Sequence, residues 1–95
     1  MTAPIETVRL RITGQVQGVG YRLWATRTGA SLGLRGWVRN RTDGSVEALV
    51  TGAPEAVAAF IEASRKGPTG ARVTGVTATP SEDDASVGFV ARPTE

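Results

Sequence analysis

The apolar residues of this 95-residue chain change their period along its length, and the order of those periods limits the folds open to it. Val8, Leu10 and Ile12 alternate with Arg9 and Arg11, the two-residue repeat of a half-buried strand. Tyr21, Trp24, Ala25, Thr28 and Leu32 recur at three- and four-residue steps, which predicts a helix over 21–32. Gly33 fits the glycine just past that helix, with Leu34 as its hydrophobic companion. Residues 36–40 read as a second strand, Thr42-Asp43-Gly44-Ser45 as a hairpin turn, and Val46, Ala48 and Val50 as a third strand. Pro54 and Glu55 open a second helix with Val57, Phe60, Ile61 and Ser64 on its inner stripe, and Gly67-Pro68 stops it. A fourth strand over 73–79 is weakened by Gly75. After the acidic loop Ser81-Glu82-Asp83-Asp84, a short last strand carries Val87, Phe89 and Ala91.

The order β-α-β-β-α-β, with a short extra strand, predicts an α+β fold of the ferredoxin-like, split β-α-β kind: a mixed, antiparallel-rich sheet with two helices on one face. The length predicts one domain over residues 1–95 with a single core. No apolar run is long enough for a membrane span, and residues 1–6 carry no signal pattern, so the expected location is the cytoplasm.

Histidine and cysteine are both absent. Imidazole acid–base catalysis, thiol nucleophiles and the usual zinc sites are therefore excluded, and any chemistry falls to arginine, amides, hydroxyls, carboxylates or the substrate itself. Charge is uneven: residues 1–48 hold seven arginines against three acids, and residues 49–95 hold four basic residues against six acids. The basic half favours an anionic ligand through steering, or is a solvated surface with no partner.

That half contains Gly14-Gln15-Val16-Gln17-Gly18-Val19-Gly20-Tyr21-Arg22, between the first strand and the first helix. A glycine-punctuated loop running into a helix N-terminus turns backbone N–H groups toward one point, and an arginine just inside adds a planar charged fork. The spacing is neither the phosphate loop ending in G-K-[ST] nor G-x-G-x-x-G, so the expected ligand is a small phosphorylated molecule without a nucleotide. Strands one and two, joined by a helical crossover, run parallel, which brings Asn40 to the same end of the sheet as the loop. The N–H groups of Gln17, Gly18, Val19, Gly20 and Tyr21 with the Arg22 guanidinium form the candidate anion site. Asn40 has an amide suited to holding water; alternatively it is a strand-end residue bonding the turn. Arg22 is alternatively a solvated first-turn arginine, although a cation there opposes the helix dipole. Tyr21, Trp24 and Trp37 read as core, Arg39 and Arg41 as surface. Asp43 and Glu47, the nearest acids, are explained by the turn and by the solvent face of the third strand.

These residues resemble the acylphosphatase family over nearly the whole chain. The first motif is the loop from Gly14 to Arg22; the second is Leu32-Gly33-Leu34-Arg35-Gly36-Trp37-Val38-Arg39-Asn40, continuing through Asp43-Gly44-Ser45-Val46-Glu47. The resemblance implies hydrolysis of the carboxyl–phosphate anhydride of a small-molecule acyl phosphate to a carboxylate and inorganic phosphate. It implies that Arg22 and the loop amides bind phosphate, that Asn40 orients the attacking water, and that no metal or cofactor takes part. With no histidine present, the substrate's own phosphate oxygen is expected to accept the proton. Gly29 departs from the pattern, where alanine is usual in the family, at a cost of ~1 kcal/mol to the helix. A monomer is expected, with no nucleic-acid or membrane partner. Two other readings stand beside this one: an accessory acylphosphatase-like module, and a basic sheet binding RNA. The first is disfavoured by the absence of zinc-type cysteine clusters and of a second domain. The second is disfavoured by the lack of paired aromatics on neighbouring strands.

Overall fold

The computed structural model describes residues 4–95. Its elements are β1 (Glu6–Gln15), α1 (Tyr21–Ser31), β2 (Arg35–Asn40), β3 (Val46–Gly52), α2 (Pro54–Ser64), β4 (Arg72–Pro80) and β5 (Phe89–Arg92). Five strands make one sheet in the order β4-β1-β3-β2-β5. Neighbours are antiparallel except β2 and β5, which are parallel. Alternation along β1 sends Val8, Leu10 and Ile12 to one face, where they meet Val46, Ala48 and Val50 of β3, Val38 of β2, Tyr21 and Ala25 of α1, and Val57 and Phe60 of α2. Both helices thus cover the same face, the α+β, ferredoxin-like arrangement expected from the periods. Each fully buried side chain of this size contributes roughly 1.5–3 kcal/mol relative to exposure.

Local signals set the element ends. Gly33, at φ 72°, follows the last turn of α1; its N–H donates to Ala30 O at 3.1 Å and that of Leu34 to Gly29 O at 2.9 Å. These are the paired bonds of a Schellman closure, and Leu34 is buried beside them. Gly75 does not end β4: it pairs with Thr13 next to a register shift between Thr13 and Gly14, so this glycine marks a bulge. Val87, expected in the last strand, lies outside it and is 90% exposed.

Gly29 faces the core, and its cause is visible. A Cβ added there would stand 2.6 Å from the Phe89 ring, which packs 5.4 Å from the Phe60 ring, centroid to centroid. The small residue lets β5 dock its aromatic side chain against α1.

The helix-free face corrects two expectations. Trp37, read as core, is indeed buried, on this face of the sheet. The guanidinium carbons of Arg9, Arg39 and Arg92 stand 5.8, 4.8 and 4.9 Å from its ring, and its Nε1–H donates to the Asp84 carboxylate at 3.0 Å. Arg39 is not a surface side chain, and Glu47 is not solvated; their side chains are 17% and 15% exposed. Glu47 accepts from Arg39 Nε at 2.8 Å and pairs with Arg9 and Arg41 as well. The antiparallel register makes this inevitable, because it sets Glu47 opposite both Arg11 and Arg39 and within reach of the arginines on either side.

Candidate active site

Gly18 and Gly20 both have left-handed backbone, with φ of 74° and 78°, and nothing would lie within 4 Å of a Cβ at either position. The need for glycine here is conformational, since a side chain at such φ costs on the order of 1–2 kcal/mol. These two turns bring the chain from β1 to α1, with Gly20 as the N-cap of the helix. No side chain caps that terminus, and no acidic residue stands in the first turn. Among the described residues, the N–H groups of Gln17 to Arg22 donate to no backbone or side-chain acceptor. Unpaired donors at a positive helix end, with no local anion, form a ready anion cradle.

Arg22 lies at the second position of α1. Its Nη1 donates to the Arg92 carbonyl at the end of β5, at 3.1 Å. No carboxylate among the described residues comes within 4.0 Å of its guanidinium. The remaining guanidinium N–H groups stay available.

Asn40 ends β2. Its backbone carbonyl accepts from the Glu95 N–H at 3.0 Å, while the Glu95 carboxylate pairs with Arg39 at 2.8 Å. The Asn40 side-chain amide bonds to none of the described residues, so it does not bond the turn, one of its two sequence readings. Val16, Gly18, Gly20, Tyr21, Arg22, Leu23, Thr26, Asn40 and Ala91 line one cleft of about 350 Å³. The two motifs, some 20 residues apart in sequence, therefore meet there.

Two of the candidate residues stand elsewhere with their side chains. Val19 packs on the core. Gln17 turns its amide away, and Nε2 donates to the Arg41 and Ser45 carbonyls, each at 2.8 Å. That side chain staples the glycine loop to the β2–β3 hairpin, a role the sequence did not reveal; only a bond to backbone atoms 24 and 28 residues away specifies it. Tyr21 adds an N–H to the cradle, but its ring is buried and its hydroxyl donates to the Ser64 carbonyl at 2.7 Å. Burial pushes the Tyr21 phenol up to about 12.

A second groove of about 380 Å³ opens on the helix-free face, lined by Arg9, Arg11, Arg41, Asp43, Glu47 and Thr77 among others. Its slightly larger volume does not make it the reactive site, because each of its arginines is already paired with Glu47 or Asp43. Burial pushes the Glu47 carboxyl up, but hydrogen bonds and charge from Arg9 and Arg39 outweigh it and leave the pKa lowered. The Ser45 hydroxyl and N–H, and then Arg11 and Arg41, hold Asp43 low as well. Neither is poised as a base at neutral pH. Among the described residues, no group of three or more carboxylates is placed to hold a metal ion.

The acylphosphatase family model matches residues 8–91. The chain is 48% identical over 89 residues to an acylphosphatase of Rhodospirillum rubrum, covering 94% of this chain and 98% of that one. It is 56% identical over 71 residues to an acylphosphatase of Rhizobium etli, covering 75% and 76%. The crystal structure of an acylphosphatase from Bacillus subtilis matches with a TM-score of 0.88 at 33% identity, over 94% of this chain and 99% of that one.

Proposed function

This chain belongs to the acylphosphatase family, hydrolases acting on acyl phosphates, and from that premise we propose how its own residues carry the reaction. The observation that carries the proposal is the pairing, in one cleft, of an arginine without a carboxylate partner and an asparagine amide without a protein partner.

The phosphoryl group sits in the cradle of N–H groups from Gln17 to Arg22, and the free guanidinium edge of Arg22 contacts two of its oxygens. Asn40 holds a water with its amide, in line with the phosphorus–oxygen bond to the acyl group. The water oxygen bonds to phosphorus as that bond breaks, and the carboxylate leaves with the bonding pair. One water proton passes to a phosphate oxygen, so an acyl phosphate dianion and water become a carboxylate and dihydrogen phosphate with charge conserved. Acyl phosphates are activated anhydrides; positioning and charge stabilisation supply the catalysis, without a protein base. The cleft is complete within one copy, which supports a monomer. No helix among the described residues is long and apolar enough to cross a membrane.

Two variants test the roles. Arg22→Lys keeps charge but loses the fork, and is expected to lower kcat/KM and weaken inhibition by inorganic phosphate, by about 100-fold in the former. Asn40→Ala is expected to lower kcat by about 100-fold with KM nearly unchanged. A rise in KM alone would make Asn40 a binding residue.

A further inference from the structure

Asn40 is the last residue of β2, and with no bond from its amide to the described residues, nothing on the cleft side fixes its direction. Side chains alternate across a strand. Asn40 faces the cleft, while Arg39 and Arg41, on either side of it, turn to the helix-free face. There a single carboxylate oxygen takes both: Glu47 Oε1 accepts from Arg39 Nε at 2.8 Å and from Arg41 Nη1 at 3.4 Å. Glu47 Oε2 accepts from Arg9 Nη1 at 2.5 Å, which ties the pair to β1, the strand that leads into the glycine loop. Arg39 carries the hold one step further. Its Nη1 donates to the Glu95 carboxylate at 2.8 Å, and the Glu95 N–H donates to the Asn40 carbonyl at 3.0 Å.

Resting on the reading of Asn40 as the residue that holds the attacking water, we propose that Glu47 is a positioning residue for it, acting from the opposite face of the sheet. Asn40 pairs with Val46, and beyond it the ladder gives way to the hairpin turn. A carboxylate bonded to the residues before and after Asn40 keeps that strand end from rotating about its own axis. Such a rotation would swing the amide out of line with the phosphorus. Stability alone does not call for this arrangement. The side chains of Glu47 and Arg39 are 15% and 17% exposed. Ion pairs buried to this degree add little net stability compared with apolar residues of the same size, because desolvation offsets the attraction. What the pair does provide is direction, since two guanidinium groups converge on one oxygen from either side of Asn40.

The test is a double-mutant cycle on benzoyl phosphate hydrolysis with Glu47→Gln and Asn40→Ala. Glutamine keeps the shape of the side chain and one carbonyl acceptor, but removes the charge that Arg9, Arg39 and Arg41 share. Glu47→Gln is expected to lower kcat about tenfold with KM and inhibition by inorganic phosphate unchanged, as a small displacement of a reacting group does. In the Asn40→Ala background the same change is expected to lower kcat less than about twofold, because the group it positions is gone. A role confined to folding would lower kcat in both backgrounds alike. Should Glu47→Gln lose the near-ultraviolet signal of the folded protein, Arg41→Ala, at a side chain 39% exposed, takes its place in the cycle with the same expected outcomes. Equal losses in the two backgrounds, a rise in KM, or an unchanged kcat overturns the positioning role and leaves the reading of the cleft intact. Wild-type kcat in Asn40→Ala, or no hydrolysis by the wild-type chain, overturns that reading and the positioning role together.

Discussion

A Cβ at Gly29 would collide with the Phe89 ring, and this one residue shows where propensity and packing disagree. Read along the helix, glycine costs ~1 kcal/mol against alanine. In the fold, an added methyl must displace a buried ring that wedges β5 against α1, and overpacking of that kind costs about 1–3 kcal/mol. Gly29→Ala is therefore expected to destabilise the protein by roughly 1–2 kcal/mol, read from the urea midpoint; a rise in midpoint would mean that Phe89 repacks freely. The sequence showed the glycine and its helical cost, but not the ring, because Phe89 is 60 residues away. Arg39 and Glu47 were misjudged for the same reason: their partners are charges delivered by other segments of the chain. The meeting of Arg22 and Asn40 in one cleft was legible because β1 and β2, both antiparallel to β3, end on the same side of the sheet.

At the scale of elements, both helices and all the strands were legible from period and turn chemistry, with ends shifted by a residue or two. The last strand was the weak one. Its alternation, Val87, Phe89 and Ala91, is short and begins two residues early, and β5 exists because it pairs in parallel with β2 and fills the space over Gly29. The relative placement of the glycine loop and the β2–β3 hairpin was legible only in part. Topology puts them at one end of the sheet, but the Gln17 amide fixes their separation. Gln17→Ala removes both bonds and lets the cradle drift relative to Asn40. The expected outcome is a fall in kcat of about 10-fold or more, with the thermal midpoint lowered only slightly, since the bonds lie outside the main core. Unchanged kcat would show that backbone pairing alone sets the geometry.

Over the whole molecule, the ionisable groups define a pH range for stability. Asp43, Glu47, Asp83 and Asp84 all titrate below their usual values in the folded protein. The stability they contribute is present above the ordinary carboxylate pKa values of 3.8 to 4.5 and is lost as pH falls below them. Tyr21 is shifted the other way, so its contribution is intact below its ordinary 10.0 and is lost as pH rises toward about 12. The thermal midpoint should be flat from about pH 5 to 9 and fall on both sides, and Tyr21→Phe should blunt only the alkaline fall. With no histidine in the chain, a stability step between pH 6 and 7 would contradict this account.

In the proposed reaction an anion cradle and Arg22 hold an acyl phosphate while Asn40 positions the water. The most direct measurement is hydrolysis of benzoyl phosphate by the purified chain in the presence of a chelator, beside Arg22→Gln. Rapid turnover by the wild-type chain and a loss of at least about 100-fold in the variant are expected. Turnover that survives in Arg22→Gln, or that stops when the chelator is added to the wild-type protein, would contradict it.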